Sequence, residues 1–244
     1  LGYKKINSAL MVTKIKGKPV PITYSTKTPF INLFKKEIST FFNSSVYCVN
    51  GLMGIIMSVV SVIIALSTFA QFEFNTEIQE VFSATAVFCM AMCLGVAPTT
   101  SVTISMEGSK LQILKSLPIK FKDIVLSKCA LNLMITVPVI FIGVIILSIV
   151  LKLSFLLVVL ILFYLLFTTL SQTILGLLLN LKFPRLNWTS ETQAVKNGAS
   201  MLLTMALDML IAMIPMIVFF LWFFHSSNLT FTIYMPIMLA IQAV

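Results

Sequence analysis

The sequence predicts an all-α, polytopic membrane protein of about six transmembrane helices preceded by an amphipathic interfacial helix, and three observations carry that prediction. Of the 244 residues, 59% are hydrophobic and only 10% charged, with a mean hydropathy of +1.04; a soluble surface needs roughly 25% charged residues. Apolar runs long enough to cross a hydrocarbon core of ~30 Å, which takes ~20 residues, recur along the chain. Of the 17 Lys and Arg, 16 fall in alternate connections between those runs. A soluble globular fold is excluded, and the length leaves no room for a large second domain.

Residues 1–45 read as a basic lead sequence and an amphipathic helix, and residues 46–244 as the transmembrane domain. The lead is rich in Lys up to Lys27 and is interrupted by Pro19 and Pro21. It lacks a starting Met and the prompt short apolar region of a signal peptide, so the chain reads as a piece of a longer protein. Thr28-Pro29 offers an N-cap with proline at the first helical position. Phe30, Leu33, Phe34, Ile38, Phe41 and Phe42 then recur at helical spacing, with Lys35, Lys36, Ser39 and Thr40 on the other side. Such a helix suits the headgroup plane of a bilayer; packing against protein is the alternative. Six apolar runs follow, at about Val46–Ala70, Val81–Ser105, Cys129–Leu151, Phe155–Leu179, Met201–Phe224 and Leu229–Val244. The sixth, still apolar where the sequence stops, is a truncated span or a re-entrant piece. Pro98, Pro138, Pro215 and Pro236 lie in these runs, where a proline allows a kink.

Lys and Arg are retained on the cytoplasmic side, so their distribution sets orientation. Residues 1–45, the connection 106–128 and the connection 180–200 carry all the basic residues but Lys152. The N-terminal segment and the second and fourth connections are therefore expected in the cytoplasm. The net charge of +9 then reads as topology with attraction to anionic lipid, not as a nucleic-acid surface.

Motifs for chemistry are few. The sequence holds no phosphate loop of the GxxxxGK[ST] type, no HExxH and no GxSxG elbow, so no catalytic residue, cofactor or metal is assigned and the chain is not expected to be an enzyme. Cys48, Cys89, Cys93 and Cys129 have no metal-ligand spacing and read as small buried hydrophobes. Asp208 is the one acidic residue well inside a span, where a charge costs roughly 2.5–3.5 kcal/mol unless it faces protein or water. It is either a polar group lining a pathway or a structural hydrogen-bonding residue.

The most informative segment is the second connection, which runs from Met106-Glu107-Gly108-Ser109-Lys110-Leu111 through Leu114-Lys115-Ser116-Leu117-Pro118-Ile119-Lys120 to Lys122. Leu111, Leu114 and Leu117 share one helical face, ended by Pro118 and flanked by Lys. Such a face can dock in an apolar groove or lie on lipid. The pattern resembles the type-2 permeases of bacterial ATP-binding-cassette exporters, in particular the exporter permeases of low-GC bacteria. Three further stretches agree with it: Leu33 to Glu37 with Phe41 to Tyr47 and Asn50; Asn180 to Trp188; and Glu191 to Lys196. The resemblance covers roughly residues 30–200 and is closest to the second six-span half of such permeases.

It implies a permease subunit in the bacterial cytoplasmic membrane that exports an unidentified substrate. A second permease half or protomer would complete the pathway, and a separate ATP-binding-cassette ATPase subunit would bind ATP and Mg. Glu107, Gly108, Lys110, Leu111, Leu114, Leu117, Pro118, Lys120 and Lys122 would couple to that ATPase. Pro184, Trp188, Glu191 and Lys196 would form a second cytoplasmic contact or a mere connection. The rival reading is an ATP-independent channel or secondary transporter with Asp208 as its coupling carboxylate.

Overall fold

The structure, a computed structural model, describes residues 28–71, 76–195, 198–225 and 234–237. All regular structure among them is helical. Helix α1 spans Pro29–Asn43, α2 Ser45–Gln71, α3 Thr76–Leu94, α4 Thr103–Glu107, α5 Leu111–Ser116, α6 Phe121–Val150, α7 Phe155–Lys182, α8 Glu191–Val195 and α9 Ala199–His225. A 3-10 turn at Thr99–Ser101 and another at Gly108–Lys110 flank α4. Five stretches are long and apolar enough to cross a membrane: Ser45–Gln71, Val81–Glu107, Phe121–Val150, Phe155–Lys182 and Ala199–Leu221. The lead sequence and most of the sixth apolar run lie outside the described residues.

Helix α1 begins as the sequence predicts, with Pro29 at its first position and the Thr28 carbonyl accepting from Ile31 N–H at 3.0 Å. Much of its apolar face is covered by protein. Leu33 and Phe41 are buried, and Phe34 and Ile38 pack on the same cluster as Tyr47, Val102 and Leu131. Ile31 and Phe42 stay exposed. The buried stripe of α2 is Tyr47, Gly51, Gly54, Ser58, Val62 and Ala65, mostly small residues at three- and four-residue spacings. Small residues let helix backbones approach within a membrane. A methyl group on Gly54 would stand 2.7 Å from the Cys93 carbonyl oxygen, so a side chain there would push the second span away.

The second span is the axis of the bundle: 61% of its apolar window is buried, against 22–39% for the other four. Its half beyond the polar break packs Ala84, Val87, Phe88, Met90, Ala91 and Leu94 among Ile140, Val144 and Leu147 of α6, Leu157, Ile161, Tyr164 and Leu165 of α7, and Ala212 and Phe219 of α9. Phe88 meets Tyr164 edge-on at 5.8 Å. The other faces of α2, α6, α7 and α9 expose residues such as Val49, Ile56, Ile63, Ile149, Phe155, Leu202, Leu210 and Leu221. An outward apolar belt of this kind is stable only in lipid or against another apolar protein surface.

Two departures from the sequence reading matter for the site. The run Val81–Ser105, read there as one span, is broken: α3 ends at Leu94 and α-helix resumes only at Thr103, after the 3-10 turn. Gly95 and Pro98 bracket the break, and Pro98, in extended conformation, cannot donate to a helical bond and disfavours helix at the residue before it. Pro138 and Pro215 lie inside continuous helices. The third span also starts eight residues earlier than expected, at Phe121, which moves Lys122 and Lys128 from a connection into a helix.

Candidate functional site: a wired break in the second span

Breaking a helix inside a bundle frees backbone groups that have no water to turn to, so neighbouring side chains must satisfy them. Each helix around the break supplies one. Asn132 of α6 accepts from the Thr99 N–H and the Thr99 hydroxyl, both at 3.0 Å, and donates to Thr173 Oγ1 of α7 at 2.8 Å. Tyr47 of α2 donates to the Thr99 carbonyl at 3.2 Å. Asn180 of α7 accepts from Ile104 N–H at 2.7 Å and Ser105 N–H at 3.1 Å. Its amide nitrogen donates to Ser105 Oγ and to Ser200 Oγ of α9. Ser200 donates in turn to the Ser101 carbonyl at 3.0 Å. All of these side chains are buried.

Below the break, at the lysine-rich end, lies a charge cluster. Lys128 of α6 is 1% exposed, and its Nζ donates to Glu37 Oε1 of α1 at 2.8 Å, to Glu107 Oε1 of α4 at 2.9 Å and to Thr103 Oγ1 at 3.2 Å. Lys36 closes the cluster from the rim, pairing with Glu107 and lying 3.6 Å from Glu37. Thr103 also donates to Glu37 Oε2 at 3.2 Å. Two cations and two carboxylates balance, which is the condition for keeping charge in such a place. The cluster ties α1, α4 and α6 together at the root of the second connection.

Of the residues assigned from sequence, Glu107 is in this cluster and nearly buried. Gly108 follows in a positive-φ conformation, 52°, with the Trp188 ring against it; a methyl group there would meet ring atoms at 3.2–3.3 Å. Trp188 Nε1 donates to the Ser105 carbonyl at 2.8 Å, and the Arg185 N–H to Ser105 Oγ at 3.0 Å. Glu191 accepts from Ser44 at 2.5 Å, tying the fourth connection to the α1–α2 junction. Pro184 is exposed, and Lys196 lies outside the described residues. The two segments predicted as separate contacts are thus one folded unit.

The predicted apolar face of the second connection is corrected. Helix α5 is only six residues long and ends at Ser116, so Leu117, in extended backbone before Pro118, leaves the face. Leu114 is buried against the chain itself and Leu111 is half-buried, while Ile113 is 64% and Leu117 46% exposed. Lys110, Pro118, Lys120 and Lys122 are exposed. Between α1 and this connection runs a groove of about 590 Å³ lined by Leu33 and Lys36 on one wall and Glu107, Lys110, Ile113, Leu114 and Leu117 on the other.

Sequence reasoning missed Lys128, Glu37, Asn132 and Asn180 as site residues. In the sequence Lys128 counts only as one of the basic residues that set orientation, yet it falls four residues before Asn132 on one helical face. Glu37 is the one carboxylate of an otherwise basic amphipathic helix. Asp208 is fully buried on α9, and neither of its oxygens has a hydrogen-bond partner among the described residues. The structural hydrogen bond offered as its plain explanation is not made among the described residues. No group of three His, Cys, Asp or Glu able to hold a metal occurs among the described residues, and the four cysteines are free and half-buried.

Long apolar helices, an outward apolar belt and a helix break met by side chains of the neighbouring helices define a multi-pass membrane protein. Over residues 1–244 the sequence matches the model of a family described as "Membrane protein of 12 TMs", and the chain belongs to that family. No curated protein and no solved structure matches it.

Proposed function

We propose that this chain is the transmembrane permease subunit of an ATP-binding-cassette exporter in a bacterial cytoplasmic membrane, with its lysine-rich end in the cytoplasm. A separate subunit would hydrolyse ATP, and a second permease half or protomer would complete the pathway. One observation carries the reading: Lys128 holds Glu107, at the root of the second connection, to Glu37 on α1 and to its own helix α6. A force applied at residues 108–120 would reach the broken second span directly and two further helices through the charge cluster. Ile113 and Leu117 present apolar surface beside Lys110, Lys115 and Lys120, as a partner groove with an acidic rim would require.

The test is co-purification of the full-length protein from its own membranes and assay of the eluate for a nucleotide-binding subunit and ATPase activity. A stoichiometric ATPase that is lost in the Ile113→Asp, Leu117→Asp double variant is expected. A clean preparation with no such partner overturns the reading. Leu114→Asp is a poor probe, since Leu114 is buried within the chain and its loss would unfold the connection. The unpartnered Asp208 favours the second reading, an ATP-independent channel or secondary transporter; Asp208→Asn would then abolish transport that persists without ATP.

A further inference from the structure

The break in the second span gathers more oxygen than the bundle satisfies. Besides both Asp208 oxygens, Gln172 Oε1 and Thr100 Oγ1 are buried without a partner. Gln172 turns its amide nitrogen to the Ala91 carbonyl at 3.3 Å, which leaves its oxygen free. All three residues are 2% exposed or less.

They lie along one seam. A methyl group on Gly95, at the break itself, would stand 2.9 Å from Asp208 Cβ and 2.5 Å from Gln172 Nε2. One on Gly176, a helical turn along α7 from Gln172, would stand 2.8 Å from Thr100 Oγ1 and 3.3 Å from Thr204, which is a helical turn along α9 from Asp208. The unwound segment thus lies in the α7–α9 seam with Asp208 and Gln172 on one rung and Thr100 on the next. Asp208 belongs to none of the ion pairs among the described residues. The lysines nearest in role, Lys36 and Lys128, already serve Glu37 and Glu107.

The Asp208 and Gln172 oxygens only accept, and the carboxylate carries charge; the Thr100 hydroxyl can donate as well as accept. An anion would meet the charge of Asp208 with a single hydroxyl to offset it. A proton satisfies a single oxygen, whereas a bare cation draws several at once. Oxygen-only sets suit hard cations, one carboxylate balances one positive charge, and broken membrane helices are places where such ions are coordinated. We propose that the break in the second span is a binding site for a monovalent alkali cation of the sodium class, with Asp208 as the anionic ligand and Gln172 and Thr100 as neutral oxygen ligands. The site is independent of how transport is driven, since neither an ATPase contact nor a cargo path enters the argument.

A cation that binds only the folded protein raises its unfolding midpoint. The experiment is thermal unfolding of the full-length protein in nanodiscs in sodium, potassium or N-methyl-D-glucamine chloride at equal ionic strength, over a range of pH. A saturable, sodium-selective rise is expected, absent in Asp208→Asn and retained in Glu191→Gln. Thr100→Ala and Gln172→Leu remove one neutral ligand each and are expected to raise the half-saturating sodium concentration about tenfold, as loss of a contact worth about 1.4 kcal/mol does. If Asp208→Asn fails to fold, those two variants decide, and an unchanged half-saturation overturns the site. Equal effects of all three salts, a response to pH alone, or a sodium response that survives Asp208→Asn overturn it as well.

Discussion

Lys128 shows how one residue can be read correctly for charge and wrongly for place. Its ammonium lies in a bundle of apolar helices, and what keeps it there is two carboxylates within 2.9 Å and the Thr103 hydroxyl at 3.2 Å. Removing one member of a buried ion pair strands the other's charge and costs about 3–5 kcal/mol. Lys128→Met is therefore expected to lower stability by about 3 kcal/mol or more, measured by denaturant unfolding in detergent. The double variant that adds Glu37→Gln is expected to recover most of the loss, because Lys36 and Glu107 then remain as a balanced pair. Lys36, at the rim and 39% exposed, is screened by solvent, so Lys36→Met is expected to cost well under half as much as Lys128→Met.

At the scale of elements, the departure that matters is the split of the second span into α3 and α4. Composition gives one apolar run from Val81 to Ser105, and Gly95 with Pro98 permits a break without requiring it, as the unbroken helices around Pro138 and Pro215 demonstrate. The break forms where Asn132, Asn180, Tyr47 and Ser200 stand ready to satisfy the freed groups. After α4 the chain turns through Gly108 under the Trp188 ring, at a φ of 52° that side-chain-bearing residues rarely adopt. Gly108→Ala is expected to cost about 1–3 kcal/mol, the range for a strained backbone position. It is also expected to shift Trp188 emission as the ring is displaced, read in a Trp222→Phe background. A variant with wild-type stability and emission would mean that the turn does not set the direction of the second connection.

For the whole molecule, the expected orientation is set by basic residues and is measurable side by side. Cysteine introduced at the exposed Ser116, in a background with the four native cysteines replaced, is expected to react with a membrane-impermeant maleimide only when the cytoplasmic face is opened. Cysteine at Ser154, exposed in the α6–α7 connection, is expected to react in intact cells; the reverse pattern would invert the topology. How much of this protein was legible beforehand follows from the range of the forces involved. Fold class, the five described spans and the start of α1 are local matters: apolar length against bilayer thickness, helical periodicity, and proline at the first helical position. Sequence alone also marked Glu107, Gly108, Trp188 and Glu191, which fold into one unit although up to 84 residues separate them. It could not say that α1 packs on protein, that Leu114 faces inward, that Lys128 is buried, or that the second span is broken. Those depend on which helix lies beside which, and a buried charge or a freed backbone group is tolerated only where another element brings its partner. Sequence thus determined that the chain crosses a membrane and where; the tertiary structure decided which of its polar residues are satisfied and which, at Asp208, Gln172 and Thr100, are left for a ligand.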